Sequence, residues 1–417
     1  KELSRLGLEQ IPTQFQSHKH LIYSSPATLA FNSPGAEGFG VKRAGLAVPD
    51  SIMLIVAPGC CGRNTSLISS MKEYNDRFYY LMMDETDIVT GRHLKKIPKA
   101  VEEICSVCPK KPSVVMICIT CVDALLGTDM ERVCKKAEEQ VEIPVRPCYM
   151  YALTREGRKP PMVHVRQSLY SLLEPGKKKG NVVNLLGFFS PLVDDCELYD
   201  LLHSAGIKTI HEISRCRDFE EYKTMSEANF NLVLHHEARF AAEDFHNRLQ
   251  IPFIELRRLY QIDKIENQYH ALGNALGVAF YDEKYKKQAE DALEKFRQKC
   301  PDASFAIGEC LNADPFELAL ALIRYGFSVP EIYGTITVEN FTYIRSLAKI
   351  SPETKVFSNM EPTMIYYDPA KSGVNLAIGK DACYYHPDCP YVMWNGEEQP
   401  YGYAGVRRLF EQLLEVV

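Results

Sequence analysis

The chain has 417 residues, more than one hydrophobic core usually serves, so we expect two or three domains. Its 48 Lys and Arg against 54 Asp and Glu give a formal charge of −6, which argues against a nucleic-acid surface built on phosphate neutralisation. No apolar run approaches the roughly 18 residues of a membrane span and no signal peptide is visible, so neither membrane insertion nor secretion is predicted.

Cysteine is abundant, with 14 residues in the chain. In a large protein without a secretory signal, this number indicates reduced thiols or metal ligands rather than a disulfide framework. The sequence therefore predicts a reducing, cytoplasmic location. Most of these thiols are expected to be buried as small hydrophobic side chains.

Cysteines follow the first two candidate strands at the point where each strand ends. The apolar run at residues 51–56 leads into Cys60 and Cys61, and the run at residues 113–119 leads into Cys121. Ligands of open parallel sheets collect beyond the carboxyl ends of strands, so these thiols are expected at one edge of one sheet. Iron–sulfur clusters are held by such thiolates, and so few of them imply that a second chain completes the site.

Further short apolar runs alternate with helix-periodic segments, which is typical of βαβ units and a parallel sheet. The remaining candidate strands are residues 182–186, 231–234, 304–307 and 355–357. The clearest helix covers residues 315–325, with Asp314 as N-cap and Glu317 closing a capping box. Thr128 and Glu131 have the same capping-box spacing and predict a second helix start.

Two segments repeat one pattern. From Asn181 and again from Ser304, a strand, an acidic loop, a helix, a glycine and a returning strand follow in order, with Gly206 and Gly326 at equivalent places. The charged, glycine-containing residues 174–181 are typical of a linker. We predict α/β domains over residues 1–176, 177–300 and 301–394, with residues 395–417 packing back on the first.

Several segments resemble the nitrogenase component 1 superfamily. PGCCG at residues 58–62 resembles its P-x-G-C-G segment, and ITCVDALLGTDM at residues 119–130 resembles its T-C-x-x-x-x-I-G-D-D segment. Residues 230–254 and PYGYAG at residues 400–405 resemble its middle-domain and C-terminal segments. The resemblance covers most of the chain and implies three Rossmann-like, doubly wound domains with parallel sheets around a central cleft.

The two cysteine segments carry bridging-cluster ligands in that family. In register, Cys61 and Cys121 lie at the ligand positions, with Cys60 beside them. The resemblance implies a 4Fe–4S cluster, or an eight-iron cluster like the P-cluster, shared with a homologous or identical subunit in a dimer or an α2β2 assembly. Nitrogenase subunits have another cluster cysteine before the first strand, and residues 31–40 contain none.

The resemblance also implies a function. We predict the catalytic component of a nitrogenase-like, ATP-dependent reductase, fed by a separate ATP-hydrolysing iron–sulfur protein. The substrate, or a second metallocofactor, is expected in the cleft near His235, His236 and Cys310. Dinitrogen reduction is not expected, because Leu234 or His235 and Val392 stand where nitrogenase holds its cofactor with Cys and His.

Two other functions stay open. One is a cofactor-assembly scaffold of the same superfamily, and the other is a solute-binding or sensor module with structural cysteines. Cys383, His386 and Cys389 have zinc-ligand types, but they are only three candidates interrupted by Pro387, so a structural role is favoured over a zinc site. Gln167 resembles a glutamine near the family's active cavity, although Ser171 stands where the family has His.

Overall fold

The computed structural model describes residues 2–5, 41–59, 74, 76–150, 159–359 and 361–417. Cys60 and Cys61 lie outside the described residues, and so does the side chain of Cys121. Across the described ranges, no helix has both the length and the apolar character that a membrane crossing requires.

The first sheet has four parallel strands in the order β2–β1–β3–β4. β1 and β3 are buried along their whole length, which explains their continuous apolar runs. The strands are β1 Ile52–Ala57, β2 Phe78–Met82, β3 Val115–Ile119 and β4 Val145–Tyr149. The helices are α1 Val41–Gly45, α2 Glu85–Thr90, α3 His93–Val107, α4 Cys121–Leu126, α5 Met130–Val141 and α6 Pro161–Tyr170.

The second sheet has four parallel strands in the order β6–β5–β7–β8. Its strands are β5 Lys179–Leu186, β6 Thr209–His211, β7 Ala228–Val233 and β8 Phe253–Glu255. The helices that follow these strands are α7 Glu197–Ser204, α8 Phe219–Lys223, α9 Arg239–Leu249, α10 Ile262–Leu276 and α11 Glu283–Lys299.

The third sheet has five parallel strands in the order β11–β10–β9–β12–β13. Its strands are β9 Ser304–Ile307, β10 Ser328–Tyr333, β11 Lys355–Phe357, β12 Leu376–Ile378 and β13 Tyr391–Val392. The helices are α12 Pro315–Arg324, α13 Phe341–Ile350, α14 Lys380–Tyr385 and α15 Gly402–Val416. The predicted strands are all present, and the predicted α/β class with three parallel, doubly wound sheets is confirmed.

Each sheet reverses its strand order beside its first strand. The reversals lie between β1 and β3, between β5 and β7, and between β9 and β12. Loops diverge at such a point and leave a crevice beyond the carboxyl ends of the strands, where ligands of α/β proteins bind. The topology thus marks one candidate crevice in each sheet.

The repeated pattern is present in the structure. α7 connects the paired strands β5 and β6, and α12 connects the paired strands β9 and β10. Gly206 and Gly326 follow the two helices with φ of 83° and 93°, a conformation that favours glycine. The second and third sheets share one hydrophobic core, while the domain limits stay a prediction.

The capping prediction for α12 is half right. The Asp314 carboxylate accepts the backbone N–H groups of Phe316 at 2.9 Å and Glu317 at 3.0 Å, as an N-cap does. Glu317 does not close a capping box. Its buried carboxylate instead accepts the N–H groups of Tyr260 and Gln261, which come from the second sheet's side of the molecule.

The second capping prediction is wrong. α5 begins one residue later than predicted, and Asp129 caps it by accepting the Arg132 N–H at 3.1 Å. The Thr128 hydroxyl donates to Asp123 at 2.9 Å instead. A buried carboxylate within reach therefore competes successfully for the side chain expected at the cap.

The C-terminal segment packs differently from the prediction. α15 lies against α7, α10 and α11, and the Phe410 ring lies 5.6 Å from that of Phe296. The segment before this helix reaches the first domain, where the Glu397 carboxylate accepts a hydrogen bond from Arg43 at 2.6 Å. The apolar face of α15 completes the core shared by the second and third sheets.

Candidate functional site

A cavity of about 470 Å³ lies where the carboxyl ends of the second and third sheets face each other. The loops after β5, β7 and β8 form one wall, and the loops after β9 and β10 form the other. α6 of the first domain contributes Met162 and Arg166. The cavity therefore opens at the strand-order reversal of the second sheet and is bounded by three parts of the chain.

Both predicted histidines line this cavity. His235 and His236 follow β7, and their rings are stacked with centroids 4.5 Å apart. Gly187, directly after β5, has φ 143°, and a Cβ there would lie 2.8 Å from the backbone nitrogen of His235. Only glycine therefore lets the β5 loop come this close to the histidine pair.

The His235 imidazole is electrically neutral at neutral pH. Burial lowers its pKa well below the ordinary value, and the nearby positive charges of Arg166 and Arg258 lower it further. Its Nδ1 accepts the backbone N–H of Glu237 at 3.3 Å. A neutral imidazole that accepts at Nδ1 carries its hydrogen on Nε2, so His235 offers a hydrogen-bond donor rather than a metal-binding lone pair.

Arg258 is the main residue that the sequence analysis missed. It follows β8, lines the cavity and places its guanidinium carbon 4.3 Å from the Phe188 ring centroid. One Nη donates to the Gln399 amide oxygen at 2.5 Å. Its Nε is buried without a hydrogen-bond partner, and no carboxylate among the described residues pairs with it.

Other arginines of the cavity are already neutralised. Arg166 is 5% exposed and donates to the Gly187 carbonyl at 2.6 Å and to Glu237 at 2.9 Å. Arg239 donates to both carboxylate oxygens of Glu255 at 2.7 and 2.9 Å. The unbalanced positive charge of this wall therefore lies at Arg258 and its neighbour Arg257. In the sequence, this charge is indicated by two adjacent arginines, Arg257 and Arg258, that follow β8.

Cys310 does not share the cavity wall with the histidines. Its neighbours Glu309 and Leu311 line the cavity, while Cys310 is missing from the described lining residues. In this loop the Asp381 carboxylate accepts the backbone N–H groups of Glu309 at 2.8 Å and Cys310 at 3.0 Å. The predicted grouping of Cys310 with the histidines is corrected accordingly.

The cavity thus offers hydrogen-bond donors and positive charge. Of the described residues that line it, none is a cysteine. Glu309 and Asp314 on the opposite wall have raised pKa values, chiefly because burial disfavours their charged forms. The N–H groups of His235 and Arg258 could hold an anionic ligand without a thiolate bond.

The first sheet places the strands that precede the predicted cysteine segments side by side. β1 and β3 are adjacent and parallel, with Val56 paired to Ile119 near their carboxyl ends. Cys121 begins α4 directly after β3. Cys60 and Cys61 follow β1 and lie outside the described residues, so the approach of the three thiols stays a prediction.

Unsatisfied polar atoms lie beside Cys121. Thr120 Oγ1 and Asp123 Oδ2 are buried without a hydrogen-bond partner in the part of the chain that the structure describes. The other oxygen of Asp123 is bound by His93 Nε2 at 2.9 Å and by the Thr128 hydroxyl at 2.9 Å. Orphaned polar atoms of this kind fit a site whose remaining partner is a bound group or an undescribed segment.

The zinc interpretation of Cys383, His386 and Cys389 is wrong. The His386 Nε2 lies 3.1 Å from a carboxylate oxygen of Glu331 and is buried with it. The Cys389 thiol donates to the Val374 carbonyl at 3.6 Å. Over the described ranges, no group of three or more His, Cys, Asp or Glu could hold a metal ion.

Gln167 does not face the central cavity. It lines a separate cavity of about 750 Å³ between α5, β4 and α6, together with Ser171. Its amide oxygen accepts a hydrogen bond from Lys159 at 2.8 Å. The preceding residue, Arg166, points into the central cavity instead, since one residue along a helix rotates the side chain by about 100°.

Curated relatives are named for cofactor biosynthesis. The "nitrogenase iron-molybdenum cofactor biosynthesis protein NifE" of Nostoc sp. is 26% identical over 65% of this chain and 58% of the relative. The protein of that name from Clostridium pasteurianum is 24% identical over 60% of the chain and 54% of its own length. The chain thus spans little more than half of these relatives. The Sinorhizobium fredii protein is 25% identical over 94% of the chain and 82% of the relative.

Solved structures and the family model cover nearly the whole chain. The structure described as "Nitrogenase Cp1 at pH 6.5" has a TM-score of 0.73 at 18% identity, covering 99% of this chain and 96% of its own. At that identity the likeness concerns the fold alone. The model of the family described as "Nitrogenase component 1 type Oxidoreductase" matches residues 37–417. The chain therefore belongs to the nitrogenase component 1 type oxidoreductase family.

Proposed function

We propose that this chain is a cofactor-assembly subunit of its family, which holds an anionic metal-cluster cargo in the central cavity and passes it to another protein. The observation that carries the proposal is Arg258, whose buried Nε has no partner and whose charge no described carboxylate balances. An anionic cargo in the cavity that Arg258 lines would balance this charge. The names of the curated relatives support this reading over turnover at the same place.

The chemistry of the cavity suits cargo that must leave again. Thiolates bind iron strongly, and the described cavity lining contains no cysteine. His235 offers an Nε2–H donor, and Arg258 offers charge and N–H groups. Hydrogen bonds and charge hold an anion without a covalent bond to break, so release needs only competition from a better site.

The first domain is proposed to hold a resident iron–sulfur cluster, of the 4Fe–4S or eight-iron type. Cys61 and Cys121, with Cys60 next to them, would be its ligands, and a homologous or identical subunit would supply the rest. Such a cluster supplies electron transfer when bound. The adjacency of β1 and β3 and the orphaned Thr120 hydroxyl support this assignment. A reducing cytoplasm and an ATP-hydrolysing iron–sulfur partner belong to the same proposal.

The reductase predicted from the sequence is the second candidate. It shares the first-domain site and differs only in what happens in the cavity. His235 and His236 favour it, because stacked imidazoles at a cavity wall could orient a bound substrate through hydrogen bonds. A reductase would consume substrate and keep its cofactor, whereas an assembly subunit would lose its cargo and turn over nothing.

A transfer assay separates these functions. The chain is purified anaerobically with its partner subunit, incubated with a cofactor-free component 1 protein, separated again and analysed for iron on both sides. The proposal predicts that iron leaves this chain and appears with the acceptor. Retained iron together with reductant-dependent substrate consumption would favour the reductase. A colourless, iron-free protein that binds a small organic molecule would favour the sensor module and overturn both.

A further inference from the structure

A buried carboxylate in the third domain is shared by two tyrosines and a histidine. The Glu331 Oε2 atom accepts the Tyr333 hydroxyl at 3.0 Å and the Tyr367 hydroxyl at 2.5 Å. The His386 Nε2 atom lies 3.1 Å from the same oxygen and 3.1 Å from each hydroxyl. We call these four residues the tyrosine–glutamate group. Each of its phenols thus has a carboxylate and an imidazole within hydrogen-bond distance.

The centre of this group is closed off from solvent and carries a negative charge. Glu331 and His386 are each 2% exposed, and Tyr333 is fully buried. Across the described ranges, no lysine or arginine forms an ion pair with Glu331. Burial alone would raise the pKa of Glu331, but hydrogen bonds from His386 and the two phenols hold that pKa below its ordinary value. The carboxylate is therefore ionised at neutral pH and able to accept a proton.

An ionised carboxylate beside a phenol makes it easier to remove an electron from that phenol. A phenol that has lost an electron is a strong acid, so its proton moves to a hydrogen-bonded base when one is present. For Tyr333, the Glu331 carboxylate is such a base, at 3.0 Å. The step converts a phenol and a carboxylate into a neutral phenoxyl radical and a neutral carboxyl group, while one electron leaves. A buried charge disappears in this step, which the apolar surroundings favour.

Neighbouring aromatic rings connect the group to solvent. The Tyr333 ring stacks on the Tyr385 ring, with centroids 4.9 Å apart and planes 11° apart. The Tyr385 ring in turn lies 5.2 Å from the ring of Tyr384, which is 41% exposed. Every ring in this series is a phenol, so each can pass an electron to the next. An electron can therefore leave Tyr333 for the surface in short steps.

We propose that Tyr333 is a redox-active residue, which gives up one electron to a one-electron oxidant at the surface and its proton to Glu331. The electron passes through Tyr385 and Tyr384, the oxidant is reduced by one electron, and a neutral radical stays on Tyr333. The oxidant is a soluble metal complex of the class that accepts an electron without forming a bond. This activity belongs to the third domain and does not depend on what the central cavity binds.

His386 and Tyr367 are positioning residues in this proposal. Their hydrogen bonds reach the same oxygen that accepts the Tyr333 hydroxyl, so they fix the Glu331 carboxylate in place. Neither of them has to gain or lose an electron. The variant Tyr367→Phe should therefore keep most of the radical, because the hydrogen bond between Tyr333 and Glu331 remains.

Electron paramagnetic resonance detects the radical directly. The full chain, without added metal, is mixed briefly with ruthenium(III) tris-bipyridine, frozen, and measured at a temperature at which iron–sulfur signals are broadened beyond detection. We expect a tyrosyl signal that outlasts the mixing, because a buried phenoxyl radical cannot couple with a second one as exposed radicals do. Absence of a lasting tyrosyl signal would overturn the proposal.

Variants assign the radical to one tyrosine. Tyr333→Phe removes one oxygen and keeps the ring stacked between Tyr385 and Phe357, so it should fold and lose most of the signal. Tyr281→Phe, at a tyrosine that is 89% exposed, is the matched control and should give the signal of the unchanged chain. A full signal in Tyr333→Phe would place the radical on another residue and overturn the proposal.

Glu331→Gln tests the proton acceptor. An amide keeps the size of the side chain but has no charge and does not take up the phenol proton, so the signal should fall as in Tyr333→Phe. A full signal in folded Glu331→Gln would overturn the proton step. If Glu331→Gln does not fold, Tyr333→Phe and its control still decide the proposal. Because no iron and no cargo take part, failure of this test is distinct from failure of the proposed assembly function.

Discussion

Gly402 lies directly against the Glu197 carboxylate, so closely that a Cβ on Gly402 would overlap Glu197 Oε1. Glu197 is buried, and its carboxylate accepts the N–H groups of Tyr403 at 2.6 Å and Ala404 at 3.0 Å. It also accepts the Tyr269 hydroxyl at 2.6 Å. One carboxylate from α7 therefore caps the N-terminus of α15 and ties the last helix to the shared core.

The first prediction concerns this contact. Gly402 has φ 59°, so Gly402→Ala adds backbone strain as well as a clash with Glu197. We expect a loss of about 3 kcal/mol in the free energy of unfolding, measured by urea denaturation. Gly396→Ala is the matched control, since a Cβ there meets open space, and it should change stability by less than about 0.5 kcal/mol. Equal losses would show that the contact with Glu197 is not the cause.

The second prediction concerns Glu331 in the third domain. Burial alone would raise its pKa, but hydrogen bonds from His386, Tyr367 and Tyr333 outweigh burial and hold the pKa below its ordinary value. The ionised carboxylate therefore stabilises the fold at neutral pH, and this contribution is lost as the pH falls through the lowered pKa. Glu331→Gln should cost about 2 kcal/mol near neutral pH.

The difference between the two proteins should shrink in acid below the lowered pKa of Glu331, where the wild-type carboxyl is also protonated. Urea denaturation at both pH values measures it. If Glu331→Gln cost as much in acid as at neutral pH, the charge of Glu331 would not be the source of the stability. His386→Asn should reduce the same pH dependence, because it removes one of the hydrogen-bond partners.

The third prediction is the linkage of Glu317. Its pKa is raised to about 7 from an ordinary 4.5, so the folded chain binds the proton more tightly than the unfolded chain. The contribution of Glu317 to stability is therefore greatest in acid and falls as the pH rises between these values, by about 3 kcal/mol. The dependence should be absent in Glu317→Gln. If the free energy of unfolding of the unchanged chain and that of Glu317→Gln depended on pH in the same way between these values, the raised pKa would be contradicted.

The fourth prediction concerns the proposed cargo. Arg258→Met keeps the bulk of the side chain against Phe188 and removes its charge, so the central cavity should lose most of its anionic cargo. The iron retained beyond that of the resident cluster after anaerobic gel filtration measures the effect, with roughly a tenfold drop expected for the loss of one buried charged contact. Arg132→Met, an exposed arginine of the first domain, should retain iron as the unchanged protein does. Unchanged retention in Arg258→Met would remove the main support for a cargo site.

The fifth prediction concerns the first domain. Cys61→Ala and Cys121→Ala should each remove most of the resident iron, because the cluster loses one of its thiolate ligands. Cys300→Ala is the matched control, since Cys300 follows α11 far along the chain from either segment, and it should leave the iron content unchanged. Full iron content in both single variants would assign the resident cluster to other ligands.

The elements that the sequence predicted correctly depend on local pattern. β1 and β9 are continuous apolar runs buried on both faces, and their burial is visible in the residues themselves. The Asp314 cap is equally local, since it bonds to its own helix. The Glu317 half of the capping box failed because a partner 57 positions away in the chain competes for the carboxylate.

The candidate site was less predictable for the same reason. His235 and His236 could be found because they end a strand, but Cys310 also follows a strand and does not line the cavity. Arg258 is notable because no described carboxylate pairs with its charge. The sequence does not show which side chains surround it in the folded chain. Gln167 and Arg166 are adjacent on α6 and line different cavities. Similarity to a motif does not determine which of the two lines the central cavity.

The most direct test of the account is the iron and acid-labile sulfide content of the chain, purified without oxygen together with its partner subunit, combined with electron paramagnetic resonance. We predict bound iron and sulfide with an iron–sulfur signal, and a loss of part of that iron when a cofactor-free acceptor is added. A colourless protein without iron or sulfide, fully folded under the same conditions, would contradict the account.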